Sequence, residues 1–147
     1  MTEPISNETE KKPERNDLQR AFAHLRESYQ QKGSLTLKER KKLLKSLKKA
    51  VIRRKAEFVE AIGTDFRGRS SHETIGAEVF TLVTSIKHTL YHLDDWVEAC
   101  EKEVSWVFWP AYIEVRPQPL GVVGILSPWN YPMSLALIPL ASNPLDQ

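Results

Sequence analysis

The stretch Gly121-Val122-Val123-Gly124-Ile125-Leu126-Ser127-Pro128-Trp129-Asn130-Tyr131-Pro132 passes from a short apolar run into a loop bounded by prolines. Residues 122–126 are β-rich and apolar throughout, the pattern of a strand covered on both faces. Residues 127–132 read as the loop after it. From Met133 to about Ser142 the sequence predicts a helix, with Pro132 accepted in the first turn because no N–H is needed there. A strand, a loop and a helix make half of a βαβ unit, and no parallel neighbour is encoded before residue 147. The reading is an α/β fold that is cut off.

Upstream the pattern is helical. Residues 1–16 are polar with two prolines and read as a disordered tail. Leu18, Phe22, Leu25 and Tyr29 then form one helical stripe, stopped at Gly33. Thr36-Leu37-Lys38-Glu39 has the form of a capping box, and Leu37, Leu44, Leu47 and Val51 share the face of the helix it starts. Phe58, Val59 and Ile62 continue the periodicity to Gly63, and residues 65–71 read as a connecting loop. A long helix is predicted from about Glu73 to Ala99, burying Ala77, Val79, Leu82, Val83, Ile86, Leu90, Leu93 and Val97. Tyr112-Ile113-Glu114-Val115-Arg116 alternates as a half-buried strand does, with Ile113 and Val115 on the inner side. The expected organisation is a tail (1–16), a helical segment (17–100), a strand or hairpin (101–120) and the start of a truncated domain (121–147).

Composition narrows the class. Of the 147 residues, 41% are hydrophobic and 27% charged, as in a globular domain. The single cysteine, Cys100, allows no internal disulfide and suits a reducing compartment. No apolar signal region follows Met1, so a cytoplasmic location is expected. Residues 117–145 carry no charge and are long enough to span a bilayer. Pro117, Pro119, Pro128, Pro132, Pro139 and Pro144 would break such a helix, so no transmembrane segment is expected.

The run Gln118-Pro119-Leu120-Gly121-Val122-Val123-Gly124-Ile125, closing on Pro128-Trp129-Asn130-Tyr131-Pro132, resembles the segment that opens the cofactor domain of the aldehyde dehydrogenases. The helices before it, the Glu73-Thr74-Ile75-Gly76-Ala77-Glu78-Val79 entry and the strand over residues 112–116 are similar in order and spacing to that family. The pattern is most like its coniferyl aldehyde dehydrogenase branch, which favours bulky aromatic or aliphatic aldehydes. The resemblance runs from about Asp17 to Ala141 and covers only the front portion of a family member.

The resemblance implies a doubly wound, Rossmann-like domain for NAD or NADP and an aldehyde as the substrate of an intact enzyme. It implies that Asn130 stabilises the oxyanion formed when a cysteine thiolate attacks the aldehyde. A side-chain amide on a fixed loop suits that task, because its N–H donors need no reorganisation as charge develops. Asn130 also stands just past the C-terminal end of a predicted strand, where open α/β sheets place ligands. By the same resemblance Leu126, Ser127, Pro128 and Trp129 line the cofactor side, and Tyr131, with Trp129, walls the substrate channel. The family's nucleophilic Cys, general-base Glu, ribose-holding Lys and Gly-rich turn lie after the Pro-Trp-Asn motif. None of the 15 residues after Pro132 is Cys, Lys, Glu or Gly. The expectation for residues 1–147 alone is no catalysis.

Other candidates are weighed beside these. Cys100 lies among Glu98, Glu101 and Glu103, an environment opposed to a reactive thiolate, and reads as an inert thiol. His88 and His92 stand four apart with Asp95 near the same face, but no second cluster completes a tetrahedral metal site, and none is expected. Residues 1–55 hold 16 Lys and Arg against 7 Asp and Glu, while residues 56–147 hold 5 against 12. The basic run from Lys38 to Lys55 admits a nucleic-acid or anionic-membrane binder as an alternative. Its clean apolar stripe and lack of aromatic platforms favour an ordinary surface helix, and no nucleic acid is expected. A further alternative is a non-catalytic interaction or oligomerisation module pairing through residues 112–116, with Trp106, Phe108 and Trp109 as contact residues.

Overall fold

The computed structural model describes residues 15–142; most of the expected tail and the residues after Ser142, Pro144 among them, lie outside the described residues. The chain divides into two compact units, one ending at Gly33 and one starting at Ser34. Within the described residues the first unit is a single helix, α1 (Arg15–Lys32), opened by residues the sequence assigns to the tail. Gly33 ends it with φ 67° and donates its N–H to the Tyr29 carbonyl at 2.8 Å, a left-handed cap that costs glycine no steric strain.

The second unit begins with α2 (Leu37–Arg53) and α3 (Lys55–Asp65). Thr36 caps α2: its hydroxyl accepts the Glu39 N–H at 3.3 Å and the Glu39 carboxylate accepts the Thr36 N–H at 2.9 Å, a closed capping box. Helix α3 closes in a Schellman turn. The Gly68 N–H reaches the Gly63 carbonyl at 2.8 Å, the Arg67 N–H reaches Thr64 at 3.1 Å, and Arg67 takes the left-handed position with φ 54°. That turn reverses the chain and aims Arg69 inward.

The predicted long helix is continuous from Ser71 to Val97 but not uniform. It comprises α4 (Ser71–Glu73), a π-helical segment (Thr74–Phe80) and α5 (Thr81–Val97). A wide turn of this kind is rare and often marks a functional site. Here it brings Thr74, Glu78 and Val79 all to the inside. Helix α5 is the centre of the unit, packed on α2 and on α6 (Pro132–Ser142). Leu44, Val51, Ile62, Val79, Leu82, Ile86, Leu93, Met133 and Ala141 form the buried core.

A small antiparallel sheet pairs β1 (Cys100–Lys102) with β2 (Ile113–Val115), Glu101 opposite Glu114. Ile113 and Val115, expected on the buried side, are each 49% exposed because nothing among the described residues packs on that face. The expected strand over residues 122–126 is corrected as well. It forms no ladder among the described residues, and Leu126 is 100% exposed, since no neighbouring strand is present to accept its hydrogen bonds. The described fold is therefore helix-rich with a two-stranded sheet. No helix among the described residues is long and apolar enough to cross a membrane.

Two outcomes follow from this packing. Leu82→Ala should lower the unfolding free energy by about 2–5 kcal/mol in urea titration, whereas Leu126→Ala should leave it nearly unchanged; equal losses would contradict the assigned core. The hydrogen bonds from Thr36 hold the Glu39 carboxyl below its usual range. A depressed folded value means the cap contributes above the ordinary carboxylate pKa and is lost as pH falls through the depressed one. Glu39→Gln should therefore flatten the acid limb of the stability–pH curve below about pH 4.5, read by circular dichroism.

Candidate functional site

The loop between residues 127 and 132 is held from below by the reversed segment after α3. Phe66 stacks beneath Trp129, with ring centroids 6.2 Å apart. The Arg69 guanidinium lies 4.7 Å from the Phe66 ring centroid and 4.4 Å from that of Tyr131, a cation between two aromatic faces. Its Nη1 donates to the Asn130 backbone carbonyl at 2.9 Å and to Glu78 Oε1 at 3.3 Å, and its Nη2 donates to Glu73 Oε1 at 3.0 Å. The Arg69 side chain is only 8% exposed. Burial opposes its charge, but the hydrogen bond to Glu73 and the charges of Glu73 and Glu78 outweigh that and hold its pKa above the ordinary value.

Glu78 is fully buried. Its Oε2 accepts the backbone N–H of Met133 at 2.8 Å and of Ser134 at 3.1 Å. These are two of the orphan donors at the start of α6, where the helix dipole also favours an anion. With Arg69 on the other oxygen, the carboxylate is paired on both sides, as a buried charge must be.

The residues singled out from the sequence fall as follows. Asn130 is exposed, with its backbone carbonyl tied to Arg69 and its side-chain amide making no hydrogen bond to the described residues. Trp129 is 79% exposed and Tyr131 half-buried. Ser127 is exposed, and its hydroxyl donates to the Pro128 carbonyl at 3.2 Å. Leu126 stands clear of the body. These residues offer a nucleotide an open apolar edge and free peptide groups. They offer its pyrophosphate nothing, because the N-terminus of α6, the usual anion site of a strand–loop–helix unit, is filled by the Glu78 carboxylate. What fits here is contact with the cofactor's flank, not a grip on its phosphates.

Arg69, Glu78 and Phe66 are absent from the sequence-based list. Residues 65–71 read as a plain connector, which hid Arg69. A signal for Glu78 did exist: it lies four residues before Leu82 and eight before Ile86, on the buried stripe itself. A charge in register with a core stripe requires a partner.

The other candidates stay apart. Cys100 is exposed in β1. His88 and His92 sit with ring centroids 4.5 Å apart and Trp96 beside both, and no set of three metal-binding side chains occurs among the described residues. On α2, Lys41 pairs with Asp94, while Lys38, Lys42, Lys45 and Lys49 line an open groove next to them.

The model of the aldehyde dehydrogenase family matches residues 3–143, so the chain belongs to the aldehyde dehydrogenase family. A probable coniferyl aldehyde dehydrogenase of Pseudomonas aeruginosa is 33% identical over 140 residues, covering 95% of this chain and 29% of that protein. The coniferyl aldehyde dehydrogenase of a Pseudomonas species is 31% identical over 121 residues, 82% of this chain and 25% of its own length. The substrate-bound AldH of Staphylococcus aureus superposes with a TM-score of 0.80 at 24% identity, over 88% of this chain and 29% of that one, which shows the shared fold. The chain thus spans less than a third of these relatives.

The carboxylate at the start of α6 yields a direct expectation. Glu78→Ala strands two buried N–H groups and should cost roughly 2–5 kcal/mol in chemical denaturation, with Glu78→Gln costing less. A loss under about 1 kcal/mol would mean the cap contributes little.

Proposed function

We propose that these residues form the oxyanion-stabilising part of an NAD(P)-dependent aldehyde dehydrogenase that oxidises a bulky, coniferyl-like aldehyde to its carboxylic acid. The observation that carries the reading is Asn130: its backbone is pinned by Arg69 while its amide is exposed and makes no hydrogen bond to the described residues. A free N–H donor on a fixed loop is preorganised for negative charge that develops on a carbonyl oxygen. The family's covalent route begins with thiolate attack on the aldehyde carbon, which places that charge on the oxygen. The Asn130 amide donates to this oxygen, and Trp129 and Tyr131 wall the substrate channel beside it. NAD or NADP, when bound, would supply the hydride acceptor. Leu126, Ser127, Pro128 and Trp129 would line the cofactor side, and residues 121–142 would serve as the opening unit of a doubly wound, Rossmann-like domain. A cytoplasmic setting agrees with a lone, exposed thiol.

Among the described residues no nucleophilic thiol or free general base is paired with Asn130, and Cys100, the one cysteine of the sequence, lies apart in β1, so residues 1–147 alone are expected to turn over no aldehyde. Mixing it with NAD or NADP and coniferyl aldehyde should give no reduced-nicotinamide absorbance, and sustained turnover would refute that. In a polypeptide joining these residues to a nucleophilic cysteine and a base, Asn130→Ala should lower kcat about 10²–10³-fold with KM little changed. An unchanged kcat would remove the oxyanion role.

A second reading has its own support. Trp106, Trp109 and Tyr112 are each more than 80% exposed and lie in or beside the β1–β2 hairpin. An aromatic patch of this sort marks an interface, which favours oligomerisation through residues 112–116. Sedimentation would show an association that Trp109→Ser abolishes; a concentration-independent monomer would exclude it.

A further inference from the structure

We propose that Arg69 and Glu78 are positioning residues for Asn130, forming with the start of α6 a closed joint that fixes the direction of the amide. The inference rests on the role given to Asn130 above and extends it to two side chains that do not touch substrate.

The joint can be followed residue by residue. Trp129 lies on Phe66, the Asn130 carbonyl accepts from Arg69, and the Tyr131 ring faces the Arg69 guanidinium. Pro132 has no N–H to place. The next two N–H groups, of Met133 and Ser134, end on Glu78. Glu78 returns the circuit to Arg69 through its other oxygen. Each residue from 129 to 134 with a backbone or ring group to anchor is thus held by the unit of Phe66, Arg69 and Glu78.

An ordinary helix cap would need only Glu78. The planar guanidinium adds the link to the loop, since one fork reaches Glu73, Glu78 and the Asn130 carbonyl while its faces meet two aromatic rings. A lysine at position 69 keeps the charge near Glu78 but cannot make these contacts together. The joint therefore has two parts: Glu78 anchors the start of α6 and so the loop's far end, and the fork geometry of Arg69 fixes the loop at Asn130 itself.

The test uses the whole chain and NMR. In Arg69→Lys the methyl signals of Leu82, Ile86 and Leu93 should stay in place, while the side-chain amide of Asn130 and the indole N–H of Trp129 shift or broaden. A role in stability alone would leave those two signals unmoved, so wild-type positions for both in a folded R69K overturn the proposal. Glu78→Ala supplies a second arm, because it removes the four heavy atoms that acetate reproduces. Acetate should raise the unfolding temperature of E78A by several degrees and restore the Asn130 signal, with chloride as the inactive control. Equal responses to acetate and chloride also overturn the proposal. If E78A does not fold, Glu78→Gln takes its place, with displacement of the Asn130 and Trp129 signals expected and unmoved signals counting against the joint. The spectra report position rather than turnover. The joint can therefore fail while the kcat effect of Asn130→Ala stands, and the converse also holds.

Discussion

A buried carboxylate facing the first turn of a helix constrains everything around it. Glu78 is cut off from water, and taking an ion out of water costs several kcal/mol unless its charge and lone pairs are answered. Two backbone N–H groups of α6 answer one oxygen and Arg69 the other. Because all three donors must be in place together, the long helix, the turn after α3 and the start of α6 cannot be positioned independently. The π-helical segment is the local distortion that turns Glu78 inward without displacing Val79 from the core. The Schellman turn with Arg67 at its left-handed position does the same for Arg69.

The same carboxylate decides what the loop can bind. A helix N-terminus behind a strand–loop turn is ordinarily a place for phosphate. Here that place is filled from within, so the loop holds no anion of its own and the α6 end acts as a hinge pin. The exposed side of the loop carries the Asn130 side chain, which makes no hydrogen bond to the described residues and is the group proposed to meet substrate.

Helices were the legible part of the sequence, because each carries its own periodicity and its own stop signals. The capping box at Thr36, the glycine stop at Gly33 and the stripe through Leu82, Ile86 and Leu93 depend on residues within a few positions of one another. The run from Gln118 to Pro132 revealed the family for a different reason: many fixed residue types in a row leave little room for coincidence. What stayed hidden needed distance information. Arg69 and Asn130 are 61 residues apart and Glu78 and Met133 are 55 apart, and no local pattern announces either pair. Residues 122–126 form no ladder among the described residues despite their pattern, since an apolar β-rich run signals a need for neighbouring strands and not their presence.

That contrast runs through a single segment of about twenty residues. On its helical side Met133, Ser134 and Ala141 are buried and every early N–H that needs a partner near Glu78 has one. On its strand side Val123, Ile125 and Leu126 face outward with no ladder. Asn130 lies at the boundary between a core that closes on itself and an edge that does not. An amide there gains rigidity from one side and access from the other. For the proposed oxyanion role neither property alone would suffice: a donor inside the closed core would meet no substrate, and one on the open edge would lose the fixed direction on which electrostatic stabilisation depends.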